Sequence, residues 1–188
     1  MVLDSLRADG FVVLPASLPP DDVDRLRRAF PSRPLPGAAD VDLTDATPER
    51  AAWDRLREHR AVALAQRYAG VDLRPGRLWG RDPRARVGEQ QWHTDSADRA
   101  RCEVVTLVWM LDDFAASGTH VVPGSHLVAA RPPQRGDPVG WRAVEGAAGS
   151  LLLVDGRLWH RCPAHLGPDR RRSALLSLVA APPTCRSR

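Results

Sequence analysis

From about Leu73 to Ala180 the chain is written in short apolar segments separated by Gly, Pro and Asp turns, with no helical period between them. The segments are Arg77–Arg81, Gln90–Asp95, Glu103–Leu111, Thr119–Val122, Trp141–Val144, Ser150–Val154 and Arg171–Ala180. Turn chemistry such as Asp155-Gly156 and Asp137-Pro138 lies between them. Short strands in succession, without intervening helices, argue for a sandwich or barrel of jelly-roll type.

The first third has a different texture. Phe11-Val12-Val13-Leu14 follows Gly10 and precedes a Pro-rich turn, so it reads as a short strand. Asp21 or Asp22 is placed to cap a helix whose apolar positions are Val23, Leu26 and Phe30. Residues 31–47 read as a loop, and Pro48 to Tyr68 as a second helix with Gly70 just past its end. The expectation is a single, mainly β domain with N-terminal helices. Residues 1–70 form a helical layer with one strand, 71–182 a double-stranded β-helix (jelly-roll, cupin-like) core, and 183–188 a tail.

Composition excludes more than it assigns. At 188 residues there is room for one sizeable core and not for two. A formal charge of +4 raises the question of nucleic acid, yet all 27 basic residues are Arg, and Lys, Asn and Ile are absent. Those absences share A/T-rich codons and mark a GC-rich genome. The arginines are interleaved with 23 acidic residues rather than gathered into a stripe with stacking aromatics, so no nucleic-acid partner is expected. Met1 to Gly10 carries early charges and no long apolar region, unlike a signal peptide, and no apolar run approaches the length a bilayer needs. Cys102, Cys162 and Cys185 are odd in number with no CxxC spacing, which fits a reducing cytoplasm.

The chemistry concentrates in Gln91-Trp92-His93-Thr94-Asp95. On a strand, His93 and Asp95 share a face and offer an imidazole beside a carboxylate. His160, at the end of a strand–turn–strand stretch, is placed to supply a third ligand. Two His and one carboxylate make the facial triad of non-haem Fe(II) oxygenases. An isolated H-x-D is weak, and the fourth element strengthens it. Eleven residues past His160, Arg171-Arg172-Ser173 opens a β-type run in which Arg171 and Ser173 share a face. A guanidinium with a hydroxyl beside it suits the distal carboxylate of 2-oxoglutarate. Three consecutive arginines, Arg170 to Arg172, leave that anchor's register open by one residue.

These pieces resemble the phytanoyl-CoA dioxygenase family of Fe(II)/2-oxoglutarate oxygenases. The likeness begins at Ala8-Asp9-Gly10-Phe11-Val12-Val13-Leu14 and runs through Gln91-Trp92-His93-Thr94-Asp95. It continues with Leu107-Val108-Trp109-Met110-Leu111-Asp112-Asp113 and Val121-Val122-Pro123-Gly124-Ser125-His126, and ends with the His160 to Arg171 interval. The resemblance implies that His93, Asp95 and His160 ligate iron, that Arg171 anchors 2-oxoglutarate with Ser173 beside it, and that Trp109 lies near the same co-substrate. It implies an enzyme that uses Fe(II), 2-oxoglutarate and O2 to oxidise a small molecule of bacterial secondary or amino-acid metabolism. A carboxylate at position 95 favours hydroxylation over halogenation, since related halogenases keep a small residue there. Ala164-His165 stand where the family often carries Asn.

Gln91 shares the parity of His93 and Asp95 and is expected to point into the barrel. Arg81 and His120 are further candidates for the substrate pocket, and His126, in the Pro-Gly-Ser-His turn, is read as structural. Two other readings compete. A zinc-dependent hydrolase also uses two His and an Asp but has no need of the Arg-x-Ser strand. A cupin-like metal- or small-molecule-binding domain without catalysis has no reason to keep the triad and the arginine together.

Overall fold

The computed structural model describes residues 1–32, 39–41, 49–83, 87, 89–115 and 118–181. Four helices come first in the chain: α1 (Val2–Asp9), α2 (Pro20–Arg28), α3 (Arg50–Arg57) and α4 (Arg60–Ala69). Two strands are threaded among them, β1 (Phe11–Leu14) and β2 (Asp40–Val41). The remaining strands are β3 (Leu73–Arg81), β4 (Val104–Met110), β5 (His120–Val121), β6 (Arg142–Ala143), β7 (Leu151–Asp155), β8 (His160–Arg161) and β9 (Ser173–Ala180). They form a six-stranded sheet in the order β1-β7-β4-β9-β3-β2 and a three-stranded sheet in the order β6-β5-β8. Every pairing is antiparallel. This is the expected jelly-roll architecture with its helical layer.

The large sheet is apolar on both faces because its strands alternate between two cores. Val105, Leu107 and Trp109 of β4, Leu151 and Leu153 of β7, and Leu176 and Leu178 of β9 pack with Leu26, Trp53 and Leu56 of the helices. Val108, Met110, Leu152 and Val154 turn the other way and meet Phe114, Val121 and Leu158 between the sheets. Burial of a large aliphatic side chain contributes about 1.5–3 kcal/mol, so each face is a substantial source of stability. The two cores are tied together by Asp155, fully buried at the end of β7. Its carboxylate accepts from the Tyr68 hydroxyl on α4 at 2.6 Å and from Arg157 at 2.8 Å, while its amide donates to Gly10 O at 2.8 Å.

Three local expectations are corrected. The helix anticipated over Pro48 to Tyr68 is two helices, α3 and α4, and Pro48 itself lies outside the described residues. His59 interrupts it, with φ −62° and ψ 140°, and its Nδ1 accepts from the Ala61 amide at 3.2 Å, capping α4. Neither Asp21 nor Asp22 is the cap of α2; Pro19 holds that position and both acids lie in the first turn. Gln90–Asp95 is not a regular strand: its β-pairing is the isolated bridge of His93 to His160. The tail at 183–188 lies outside the described residues.

Candidate metal centre and its cavity

The triad is assembled by main chain first. The His93 amide donates to His160 O at 3.0 Å and the His160 amide to His93 O at 3.1 Å, which sets the two rings side by side with centroids 4.3 Å apart. Each imidazole is then oriented by its own backbone. Nδ1 of His93 lies 2.9 Å from Gln91 O, and Nδ1 of His160 lies 2.9 Å from Leu158 O. A carbonyl only accepts, so both Nδ1 atoms carry a proton and both Nε2 atoms face inward. They face Asp95 Oδ1, 3.8 Å from His93 Nε2 and 3.5 Å from His160 Nε2. One ligand atom from each of the three residues lies within 4.8 Å of the others.

The electrostatics follow from this convergence. Burial pushes the Asp95 carboxyl up, but the charge and hydrogen bond of His160, the Thr106 hydroxyl and His93 outweigh it and hold the group well below the ordinary carboxylate range. Burial, and then the neighbouring His160, lower His93. Burial also disfavours the charged form of His160, but Asp95 outweighs it and raises that imidazole. A carboxylate and two imidazoles turned together through Nε2 are the donor set that a divalent transition metal takes.

The centre lies on the wall of a cavity of about 330 Å³ between the two sheets. Thr106 and Val108 of β4, Ser173 and Leu175 of β9, and Trp79 and Arg81 of β3 line it. The three consecutive arginines have separate fates. Arg170 reaches Asp82 at 2.5 Å and Arg172 grips Asp112 with contacts of 2.7 and 2.9 Å. Arg171, 2% exposed, enters the cavity wall, where its Nη2 contacts Cys162 Sγ and Pro163 O and its Nη1 is buried with no hydrogen-bond partner among the described residues. A buried guanidinium facing open space is the donor array that a carboxylate fits.

The other anticipated residues divide. Ser173 lines the cavity, and so does Arg81, which pairs with Asp40 at 2.6 Å. Gln91 is exposed and does not line it; its carbonyl orients His93, while its neighbour Gln90 lines the cavity. The irregular backbone at 90–95 breaks the alternation on which Gln91 was assigned. His120 faces away, on the outer side of the small sheet, stacked on Trp141 at 4.3 Å and accepting from Arg161 Nε at 3.3 Å. Trp109 lies on the helix-facing side of β4, fully buried and edge-on to His59 at 5.6 Å, because its parity is opposite to that of Thr106 and Val108. His126 packs under Gly10 with Nε2 3.1 Å from Arg7 O, a structural position at the end of α1.

Thr106 and Cys162 have functional placements that sequence reasoning missed. Thr106 Oγ1 donates to Asp95 Oδ2 at 2.7 Å. Its signal was the one hydroxyl in the apolar run Val104–Met110. Cys162 lies two residues past His160, and its contact with Arg171 depends on how the loop after β8 folds back.

The sequence profile of the phytanoyl-CoA dioxygenase family matches residues 6–173. Comparison with curated proteins finds no match. Among solved structures, HygX from Streptomyces hygroscopicus, with nickel and 2-oxoglutarate bound, superposes with a TM-score of 0.79 at 18% identity, over 96% of this chain and 86% of that one. AviO1 from Streptomyces viridochromogenes Tue57 gives 0.71 at 22% identity, over 96% of each chain. SnoN, a non-haem α-ketoglutarate-dependent epimerase of nogalamycin biosynthesis, gives 0.73 at 23% identity, over 96% of this chain and 81% of that one. HygX has also been solved with hygromycin B, and SnoN with Fe3+, α-ketoglutarate and nogalamycin RO. At these identities the likeness is one of fold.

Proposed function

The chain belongs to the phytanoyl-CoA dioxygenase family of Fe(II)/2-oxoglutarate oxygenases, and on that premise we propose that His93, Asp95 and His160 hold the iron, that Arg171 receives the distal carboxylate of 2-oxoglutarate, and that the enzyme oxidises a small natural product by hydroxylation-type chemistry. The observation that carries this reading is the pairing, on one cavity wall, of three converging ligand atoms with a buried guanidinium whose Nη1 has no hydrogen-bond partner among the described residues. A zinc hydrolase would leave that guanidinium without a purpose.

When bound, iron and 2-oxoglutarate together supply O2-driven oxidation of an unactivated C–H bond, with release of succinate and CO2. The chain's own residues prepare the place. Gln91 O and Leu158 O fix both imidazoles with Nε2 inward, and Asp95 offers an ionised carboxylate between them. Arg171 supplies charge-assisted donors, and Ser173 adds a hydroxyl to the same wall. Val108, Val154 and Leu175 keep the wall apolar and exclude water from the reacting carbon. Asp95 occupies the position that a halide would need, which supports hydroxylation over halogenation. The named ligands of HygX and SnoN support a natural-product substrate, and SnoN, named as an epimerase, shows that one fold hosts several outcomes.

Anaerobic titration with Fe(II) and 2-oxoglutarate tests the centre. The weak visible charge-transfer band of the chelate is expected in the wild type and absent in His160→Ala. No band, or a band indifferent to that substitution, would sink the assignment. Substrate screening by stimulated succinate release, with product mass as readout, then separates oxygen insertion (about 16 Da gained) from epimerisation (no change).

A further inference from the structure

Asp95 is the least constrained member of the centre by main chain alone. Backbone hydrogen bonds hold its segment at Gln90 (to Cys162 O, 2.9 Å), at His93 (to His160 O, 3.0 Å) and at Ser96 (to Gly156 O, 2.8 Å), and Asp95 lies between the last two anchors. Its side chain is nonetheless directed, with Oδ1 toward both imidazoles and Oδ2 toward Thr106 Oγ1 at 2.7 Å.

Thr106 is well placed to direct it. It is in the interior of β4, a strand with a neighbour on each side, directly opposite Val154 of β7 and Ser177 of β9, so its backbone is fixed from both flanks. A β-branched side chain on a strand has few accessible χ1 rotamers, so the hydroxyl direction is fixed as well. The same-face neighbours on β4, Val104 and Val108, are apolar and cannot replace it. A carboxylate oxygen turned toward that wall without a donor would carry an uncompensated desolvation cost.

We infer that Thr106 is the positioning residue of the centre: its hydroxyl engages Oδ2 and so presents Oδ1 alone to a metal shared with His93 and His160. The inference rests on the proposed reading of the triad as a metal centre. Thr106 touches neither substrate nor co-substrate in this role and acts through Asp95. Outer-shell partners of metal ligands typically account for ten- to a hundredfold in metal affinity.

The test uses the full-length chain, stripped of metal and titrated anaerobically with Co(II) alone, followed by calorimetry and by the visible d–d spectrum. Thr106→Val keeps the branched shape and the strand preference but removes the donor. It is expected to weaken Co(II) binding by about ten- to a hundredfold and to change d–d intensity as Asp95 becomes free to use both oxygens. Thr106→Ser restores the hydroxyl and is expected to recover the about tenfold or greater loss seen in Thr106→Val, with the wild-type spectrum, since the donor is retained. If Thr106→Val does not fold, Thr106→Ala takes its place with the same expectation. Wild-type affinity and spectrum in the variants lacking the hydroxyl would overturn the inference while leaving the metal centre intact. A wild-type chain that takes up no Co(II) would overturn the reading of the triad, and this inference with it.

Discussion

Arg171 differs from Arg170 and Arg172 only in what faces it. Asp82 and Asp112 neutralise the flanking pair, and the residue between them is left to the cavity. Arg171→Ala should therefore weaken 2-oxoglutarate binding by about tenfold to a hundredfold, the range for hydrogen bonds to charged groups. Metal affinity should stay unchanged, with both measured by calorimetry. Arg172→Ala should do the reverse: 2-oxoglutarate affinity is kept, and stability in urea falls by about 1–3 kcal/mol as Asp112 loses the guanidinium of Arg172 and keeps Arg27 and the residue-172 amide. Loss of 2-oxoglutarate binding in Arg172→Ala alone would reassign the anchor. At this scale the sequence was legible in residue type and ambiguous in register. The triad's identities could be read from H-x-D and a later His. Which of three arginines turned inward depended on acids far away in the chain, which no local pattern displays.

Elements were legible where the hydrophobic period was long and illegible where one side chain decided. The alternation of β4, β7 and β9 was visible as apolar runs, but a run apolar at every position does not say which parity faces the helices. The family resemblance, which carries no parity, implied Trp109 near the co-substrate, and the residue is found against His59. The break between α3 and α4 follows from His59 accepting from the Ala61 amide, a capping role that histidine rarely signals. Gly10 shows how an element boundary reaches the site. It ends α1 with φ +81°, and a Cβ there would come within 2.6 Å of His126 Nδ1 and 2.7 Å of Leu158 Cδ1. Leu158 in turn supplies the carbonyl that orients His160. Gly10→Ala is expected to cost about 2 kcal/mol or more, combining left-handed strain with overpacking. The urea midpoint should fall, and metal affinity should fall with it if the Leu158 carbonyl is displaced.

Across the whole molecule the helical layer and the large sheet share one fastening, the Asp155 cluster. Burial alone would raise the Asp155 carboxyl, but hydrogen bonds from Arg157 and Tyr68 outweigh it and hold it below the ordinary range. A carboxylate whose folded pKa is depressed contributes stability that is complete above its unfolded value, about 3.9, and is lost as pH falls further toward the folded pKa. Unfolding midpoints should thus decline below about pH 4, with Asp95 and Asp112 adding to the slope in the same direction. Asp155→Asn should lower stability at neutral pH by about 3–5 kcal/mol, as expected when one partner of a buried ion pair is removed, and should flatten part of the acid slope. An unchanged pH profile in thermal melts would count against this role. No helix among the described residues is long and apolar enough to cross a membrane. The jelly roll itself was the most legible feature of all, because repeated turns and short strands leave few other arrangements.

The reciprocal backbone pair between His93 and His160 has a consequence for how the protein comes into being. The two imidazoles are remote along the chain and are neighbours only through long-range strand closure, a contact whose loop entropy is met late in folding. A centre made this way is complete only when those two segments have met. Under the proposed assignment, a chain in which β8 has not docked presents two of the three ligands, His93 and Asp95, and lacks the third, His160.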